Sequence, residues 1–181
     1  EILSAVQEER FSRLKHDPSF PSHSIKYILL KHNITLQDID YIVFYDKPFL
    51  KFERLLETYL SIIPYGFKSF RIAIPIWLRE KLFLKDLILK ELKLISGKKI
   101  DQSKILFAEH HFSHASSAFY PSPFDKAVIL TLDGVGEWAT TTVAIGDGNS
   151  IDIKKVINFP HSLGLLYSAF TYYLGFKVNS G

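Results

Sequence analysis

The chain of 181 residues has no cysteine and no methionine. Without cysteine there is no disulfide, no thiolate metal site and no thiol nucleophile, and the redox compartment is left open. Charge of one sign is also in short supply. Lysine and arginine number 22 against 19 acidic residues, and the resulting net charge of +3 is too small and too dispersed to argue for nucleic acid. The apolar piece at residues 72–78 falls far short of a membrane-spanning helix and contains Pro75. Repeats and low-complexity tracts are absent. Methionine is missing even from position 1, and the chain opens directly on the strand-like Ile2-Leu3-Ser4-Ala5-Val6. It closes on the turn signal Asn179-Ser180-Gly181. The expectation is a piece truncated at both ends.

What is present is ordinary globular composition, 47% hydrophobic and 23% charged, enough for one substantial core. A strand is expected at 2–6, a loop broken by Pro18 and Pro21, and a helix capped by Ser22 and ending near His32-Asn33. The strand Tyr41-Ile42-Val43-Phe44-Tyr45 leads through Asp46-Lys47-Pro48 into a helix reaching about residue 63. Residues 64–100 read as a helical insert, with Leu78, Leu82, Leu89, Leu92 and Ile95 at three- and four-residue steps. Its lysines, Lys90, Lys93, Lys98 and Lys99, are a solvated face. A short strand at 104–108 precedes a helix at 109–119, stopped by Pro121 and Pro123. Strands at 127–132, 139–145 and 151–156 follow, the last two joined as a hairpin through Gly146-Asp147-Gly148-Asn149. An aromatic-rich helix at 163–174 ends at Gly175. The sum is a mixed-sheet α/β domain.

The chemistry concentrates in two segments. Glu109-His110-His111-Phe112-Ser113-His114 holds three histidines, and His110 and His114 stand four apart. That step places both imidazoles on one helix face, one turn apart, where they can grip a single ion. The apolar run at 127–132 then delivers Asp133 into the glycine turn Asp133-Gly134-Val135-Gly136-Glu137. Two histidines and one carboxylate make a divalent-metal triad, and Gly134 and Gly136 leave room for phosphate oxygens. Each residue also has a plainer reading: Asp133 as a turn aspartate, the glycines as a hairpin, and Thr140, Thr141 and Thr142 as strand residues. His111 points to another face and suits core or supporting service. Ser113 and His114 diverge by about 100° as helix neighbours, which argues against a serine–histidine hydrolase. Arg10, Arg13, Lys15 and His16 form a basic loop cluster, either a solvated turn or a clamp for an anion.

Taken together, these segments resemble the O-carbamoyltransferases, which act on nodulation factors and antibiotics. The resemblance runs through Glu8-Glu9-Arg10-Phe11-Ser12-Arg13-Leu14-Lys15-His16, the histidine block, the Asp133 turn, Ser162-Leu163-Gly164-Leu165-Leu166-Tyr167 and the closing Asn179-Ser180-Gly181. It implies an α/β fold of the actin and sugar-kinase, ribonuclease H-like type, a mixed sheet with flanking helices. Residues 1–181 would be a partial N-terminal domain with the insert at about 64–100. It also implies that a C-terminal domain, missing here, makes carbamoyl-adenylate from carbamoyl phosphate and ATP. The N-terminal domain then passes the carbamoyl group to a hydroxyl of a small-molecule or sugar acceptor, beside a divalent ion. That ion is Fe(II) by resemblance, with Mn or Mg as alternatives.

The matching positions are His110, His114 and Asp133 as metal ligands, with Asp133 and His114 also catalytic. Lys15 falls on the carbamoyl-adenylate, and Arg13, Gly134 and Gly136 are expected to bind the same ligand. A fourth ligand would lie beyond Gly181, and the piece alone would be inactive. The ion could polarise the carbamoyl carbonyl, stabilise the leaving phosphate or acidify the attacking hydroxyl, and Asp133 could serve as general base. The competing readings are an actin-fold ATPase or phosphotransferase using Asp133-Gly134 with magnesium-nucleotide, and a non-catalytic metal- and nucleotide-binding module. A cytoplasmic location with neither nucleic acid nor membrane as partner is expected.

Overall fold

A computed structural model of the chain describes residues 2–80 and 83–178, the side chains of 76–80 excepted. Leu78 and Leu82 of the expected stripe and the closing Asn179-Ser180-Gly181 lie outside the described residues or side chains. In chain order the elements are α1 (Glu9–Ser12), α2 (Ser22–His32), β1 (Ile42–Phe44), α3 (Pro48–Ser61), α4 (Phe67–Glu80), α5 (Leu84–Ser96), β2 (Ile105–Phe107), α6 (His110–Phe119), β3 (Lys126–Leu132), β4 (Ala139–Asp147), β5 (Ser150–Asn158) and α7 (Leu163–Tyr173). Strands β1 and β2 pair with each other, and β3, β4 and β5 form a second sheet in that order. The architecture is mixed α/β. The chain divides into two compact units, one of Glu1–Val43 with Pro75–Leu106 and one of Phe44–Ile74 with Phe107–Gly181.

The first unit buries Leu36, Ile88, Leu92, Ile100 and Ile105. Ile88 and Leu92 are one helical turn apart on α5, whose lysines Lys90 and Lys93 are exposed, as a solvated face requires. Gly97 ends α5 in a left-handed conformation (φ 68°), and Asn33 ends α2 in the same way (φ 51°). Two expectations are corrected here. Residues 2–7 form no strand; a strand exists only in a ladder, and Ser4 instead places its hydroxyl 2.7 Å from His32 Nε2. Ser22 is also not the cap of α2 but its first helical residue. The free N–H groups of His23 and Ser24 go to the carboxylate of Glu8, at 3.1 and 2.8 Å, with His23 Nδ1 at 2.6 Å from the same group. Burial alone would raise the Glu8 pKa, but these hydrogen bonds hold it down at about 2.

The second unit is built on the antiparallel β3-β4-β5 sheet. In β3, Ile129 and Thr131 are buried while Val128, Leu130 and Leu132 are exposed, the period-two pattern of a strand with one covered face. Helix α6 supplies the cover: Ala115 and Phe119 pack with Ile129 and Ala144. The Phe119 ring lies flat enough on β4 that a Cβ at Gly146 would come within 2.6 Å of it. The β4–β5 hairpin turns at Gly148-Asn149, with Asp147 opposite Ser150 and Gly148 at φ 57°. Among the described residues no helix is long and apolar enough to cross a membrane.

Candidate metal centre

Helix α6 begins at His110 without a side-chain cap from Glu109. Its first turn is satisfied from elsewhere in the unit. The buried Glu137, 5% exposed, accepts the His110 N–H at 3.0 Å and the Lys47 N–H at 2.9 Å. One carboxylate thus pins the start of α6 to the loop ahead of α3, where Asp46 stands. Arg54 donates to the Gly136 carbonyl at 3.1 Å and lies over the Phe159 ring, and burial lowers its pKa.

On this frame the His110 ring is held from both sides. Its Nδ1 is 2.8 Å from Asp46 Oδ1, and the other Asp46 oxygen takes the Lys51 ammonium at 2.5 Å. Its Nε2 is 2.8 Å from Asp133 Oδ2 and 3.0 Å from His114 Nε2. The Asp46 hydrogen bond raises the His110 pKa, against the opposing effect of burial. For Asp46, burial pushes upward but the His110 and Lys51 hydrogen bonds win and hold its pKa low.

Asp133 follows β3 directly. Its N–H bonds the Thr140 carbonyl at 2.9 Å, and its Oδ1 accepts the Gly134 N–H at 2.6 Å, which leaves Oδ2 directed at His110. The turn is clamped by Ser162, whose hydroxyl faces the Gly134 carbonyl at 2.6 Å and caps α7 by accepting from Leu165 N at 3.0 Å. Gly164 makes this approach possible, because a Cβ there would sit 2.3 Å from the Asp133 carbonyl oxygen.

The structure therefore brings His110, His114 and Asp133 together, with one ligand atom of each lying within 4.8 Å of the others. Two bonds of about 2.1 Å at right angles put ligand atoms about 3 Å apart, the separation found around His110 Nε2. With Nδ1 committed to Asp46, the neutral His110 ring turns a lone pair toward a carboxylate oxygen and a second imidazole. Such converging acceptors repel one another unless a cation or a proton stands between them. The donor set fits a divalent ion of the iron or manganese kind.

His111 points away from this group. It is buried, its Nδ1 is 2.6 Å from Thr131 Oγ1, and that hydroxyl lies 2.7 Å from Thr142 Oγ1, which fastens α6 to the sheet. Burial lowers its pKa. Ser113 bonds the Tyr45 and Glu109 carbonyls rather than His114, so no serine–histidine pair forms. Gly136 is crowded by rings: a Cβ would come within 2.9 Å of His111 and 3.3 Å of His110. At Gly134 a Cβ would meet only Leu165, at 3.8 Å. Arg13 and Lys15 belong to the first unit, exposed on the turn after α1, with Arg13 at φ 59°.

Sequence reasoning overlooked Asp46, Arg54, Glu137, Ser162 and Gly164 as site residues. Asp46 carried the same signal that marked Asp133, an apolar strand ending in a carboxylate before a turn. The other four act through backbone groups, which leave little trace in residue type.

The family model described as the carbamoyltransferase N-terminus matches residues 1–181. The chain is 59% identical to uncharacterized protein sll1178 of Synechocystis over 99% of its own length and 29% of that protein. It is 38% identical to nodulation protein NolNO of Sinorhizobium fredii, over 98% of its own length and 24% of that protein. Uncharacterized protein MJ1051 of Methanocaldococcus jannaschii is 29% identical, over 98% of this chain and 27% of the relative. The chain thus spans less than a third of the length of these relatives.

Proposed function

The chain belongs to the carbamoyltransferase family, matching its N-terminal region, and we propose from this that the whole protein transfers a carbamoyl group to a hydroxyl of a small-molecule or sugar acceptor. The observation that carries the chemistry is the convergence of His110, His114 and Asp133. These three would hold an Fe(II), Mn or Mg ion, with Fe(II) best suited to two imidazoles and one carboxylate. When bound, the ion supplies Lewis acidity for a carbonyl or phosphate oxygen or for the attacking hydroxyl.

The protein's own groups supply position and charge. Asp133 has one oxygen fixed by the Gly134 N–H, so its second oxygen has a set direction. His114 is exposed and lies on the approach to that oxygen's partner ring. Lys15, with Arg13, offers cations that would clamp the phosphate of carbamoyl-adenylate, and Gly134 leaves the turn open beside Asp133. The carbamoyl-adenylate would be formed from carbamoyl phosphate and ATP in the remainder of the longer protein. The mixed α/β architecture agrees with an actin-type, ribonuclease H-like domain in this reading.

Full-length protein supplied with carbamoyl phosphate, ATP and a panel of hydroxylated acceptors should yield a carbamate ester, seen by mass spectrometry as addition of one carbamoyl group. Phosphate release from ATP that is indifferent to acceptor and to carbamoyl phosphate would favour an actin-fold ATPase instead. Metal binding with neither activity would leave a binding module.

A further inference from the structure

We infer that Asp46 is the orienting residue of the metal centre: it fixes the tautomer of His110 so that Nε2 is the ligand atom. The inference deepens the metal reading above and rests on it for its purpose, though not for its geometry. Asp46 is 7% exposed, and both of its oxygens are engaged. Oδ2 takes the Lys51 ammonium at 2.5 Å, and Oδ1 stands 2.8 Å from His110 Nδ1.

An ionised carboxylate only accepts hydrogen bonds. Both ring nitrogens stand 2.8 Å from a carboxylate oxygen, but the Asp46 side chain is 11% exposed against 30% for Asp133. A bare nitrogen set against a lone pair therefore costs more at Asp46, and with one hydrogen to place the ring carries it on Nδ1. In the neutral ring Nε2 is then the bare nitrogen. Nε2 is the atom aimed at Asp133 Oδ2 and His114 Nε2. Free imidazole prefers the opposite tautomer only slightly, so a single well-placed acceptor is enough to decide it. Metal-bound histidines in general hand their second ring nitrogen to a carboxylate or carbonyl, and removal of that partner costs roughly 10–100-fold in metal affinity.

Lys51 has a part in this. It offsets the Asp46 charge and, from one turn inside α3, holds the carboxylate at the end of the β1–α3 loop. A plainer role for Asp46, as half of an ion pair that pins α3, makes a different prediction. In that case its loss changes stability and leaves the His110 ring as it was.

The test uses full-length, metal-free protein labelled with 15N in histidine, studied at alkaline pH where the ring is neutral. Two-bond proton–nitrogen spectra should show His110 with Nδ1 protonated and Nε2 bare. Asp46→Ala should shift it toward the Nε2–H form. Titration with Co2+, followed by its visible absorption, should weaken about 10–100-fold in Asp46→Ala. Asp46→Asn retains an acceptor oxygen and should fall between the two. It carries both measurements if the alanine variant does not fold. A wild-type ring protonated at Nε2, or undiminished Co2+ affinity in the variants, overturns the inference. A wild-type ring protonated at Nδ1 that takes up no Co2+ supports the orienting role and overturns the metal reading alone.

Discussion

Each unit starts a histidine-bearing helix on a carboxylate borrowed from elsewhere in the chain, and the two arrangements do different things with the ring. In the first unit Glu8 collects the N–H groups of His23 and Ser24 and also the His23 ring nitrogen. Backbone and side chain end on one acceptor, and His23 is spent as part of its own helix cap. In the second unit the duties are divided. Glu137 takes the His110 backbone N–H, Asp46 takes Nδ1, and Nε2 is left facing Asp133 and His114. Supplying one carboxylate for the helix end and a second for Nδ1 leaves Nε2 to meet Asp133 and His114.

The sharpest way to break this contrast is to remove the divided ring. His110→Ala should reduce tightly held metal to background in elemental analysis of gel-filtered full-length protein, a loss exceeding the 10–100-fold typical of supporting residues. The equivalent His23→Ala should leave metal content unchanged. Equal loss in the two would erase the distinction.

Next in size is Glu137→Ala, which leaves the N–H groups of the half-buried Lys47 and His110 without their acceptor. At roughly 1–3 kcal/mol for each unsatisfied group, the cost should be about 4 kcal/mol in urea unfolding monitored by tryptophan fluorescence. Glu137→Gln keeps an acceptor and should recover part of it. A cost below about 1 kcal/mol would show that α6 does not depend on this carboxylate.

The Glu8 cap should announce itself in acid. Its folded pKa of about 2 lies below the ordinary 4.5, so the carboxylate contributes stability that is complete above about pH 4.5. That contribution declines as pH falls through the folded value. The difference corresponds to at most about 3 kcal/mol. Unfolding free energy measured from pH 5 to pH 2 should fall less steeply in Glu8→Gln than in wild type. Parallel curves would remove Glu8 as the titrating group.

The smallest effect is expected at the Asp133 turn. Ser162→Ala deletes the α7 cap and the contact to the Gly134 carbonyl, for about 1 kcal/mol by thermal unfolding. Because the same hydroxyl steadies Asp133, metal affinity should weaken slightly as well. A stability loss with metal affinity intact would mean that Ser162 serves the helix alone.

Much of the element order was legible before any coordinates. The existence of β3, the hairpin through 146–149 and the three- and four-residue steps of α5 depend on near neighbours, and local preference carries them. The unbroken apolar run at 127–132 reads as a strand buried on both faces, and only the structure shows Val128, Leu130 and Leu132 exposed. The His110–His114 pair was legible for the same reason, since a four-residue step on a helix fixes relative direction without outside help. The failures share a cause as well. The segment at 2–6 looked like a strand by residue type, but pairing is settled by what lies alongside. Ser22 looked like a cap, yet the N–H groups of α2 found Glu8, 15 and 16 residues away.

The sequence by itself determined the chemistry available: two imidazoles one turn apart, a carboxylate at a strand end, and no sulfur ligand to compete with them. Only the tertiary structure decided which atoms of those groups meet. Asp46 and His110 are 64 residues apart, and Lys47 and Glu137 are 90. Residue identity says that an imidazole has two nitrogens. A buried carboxylate, placed against one of them by the packing of distant segments, decides which nitrogen keeps its lone pair.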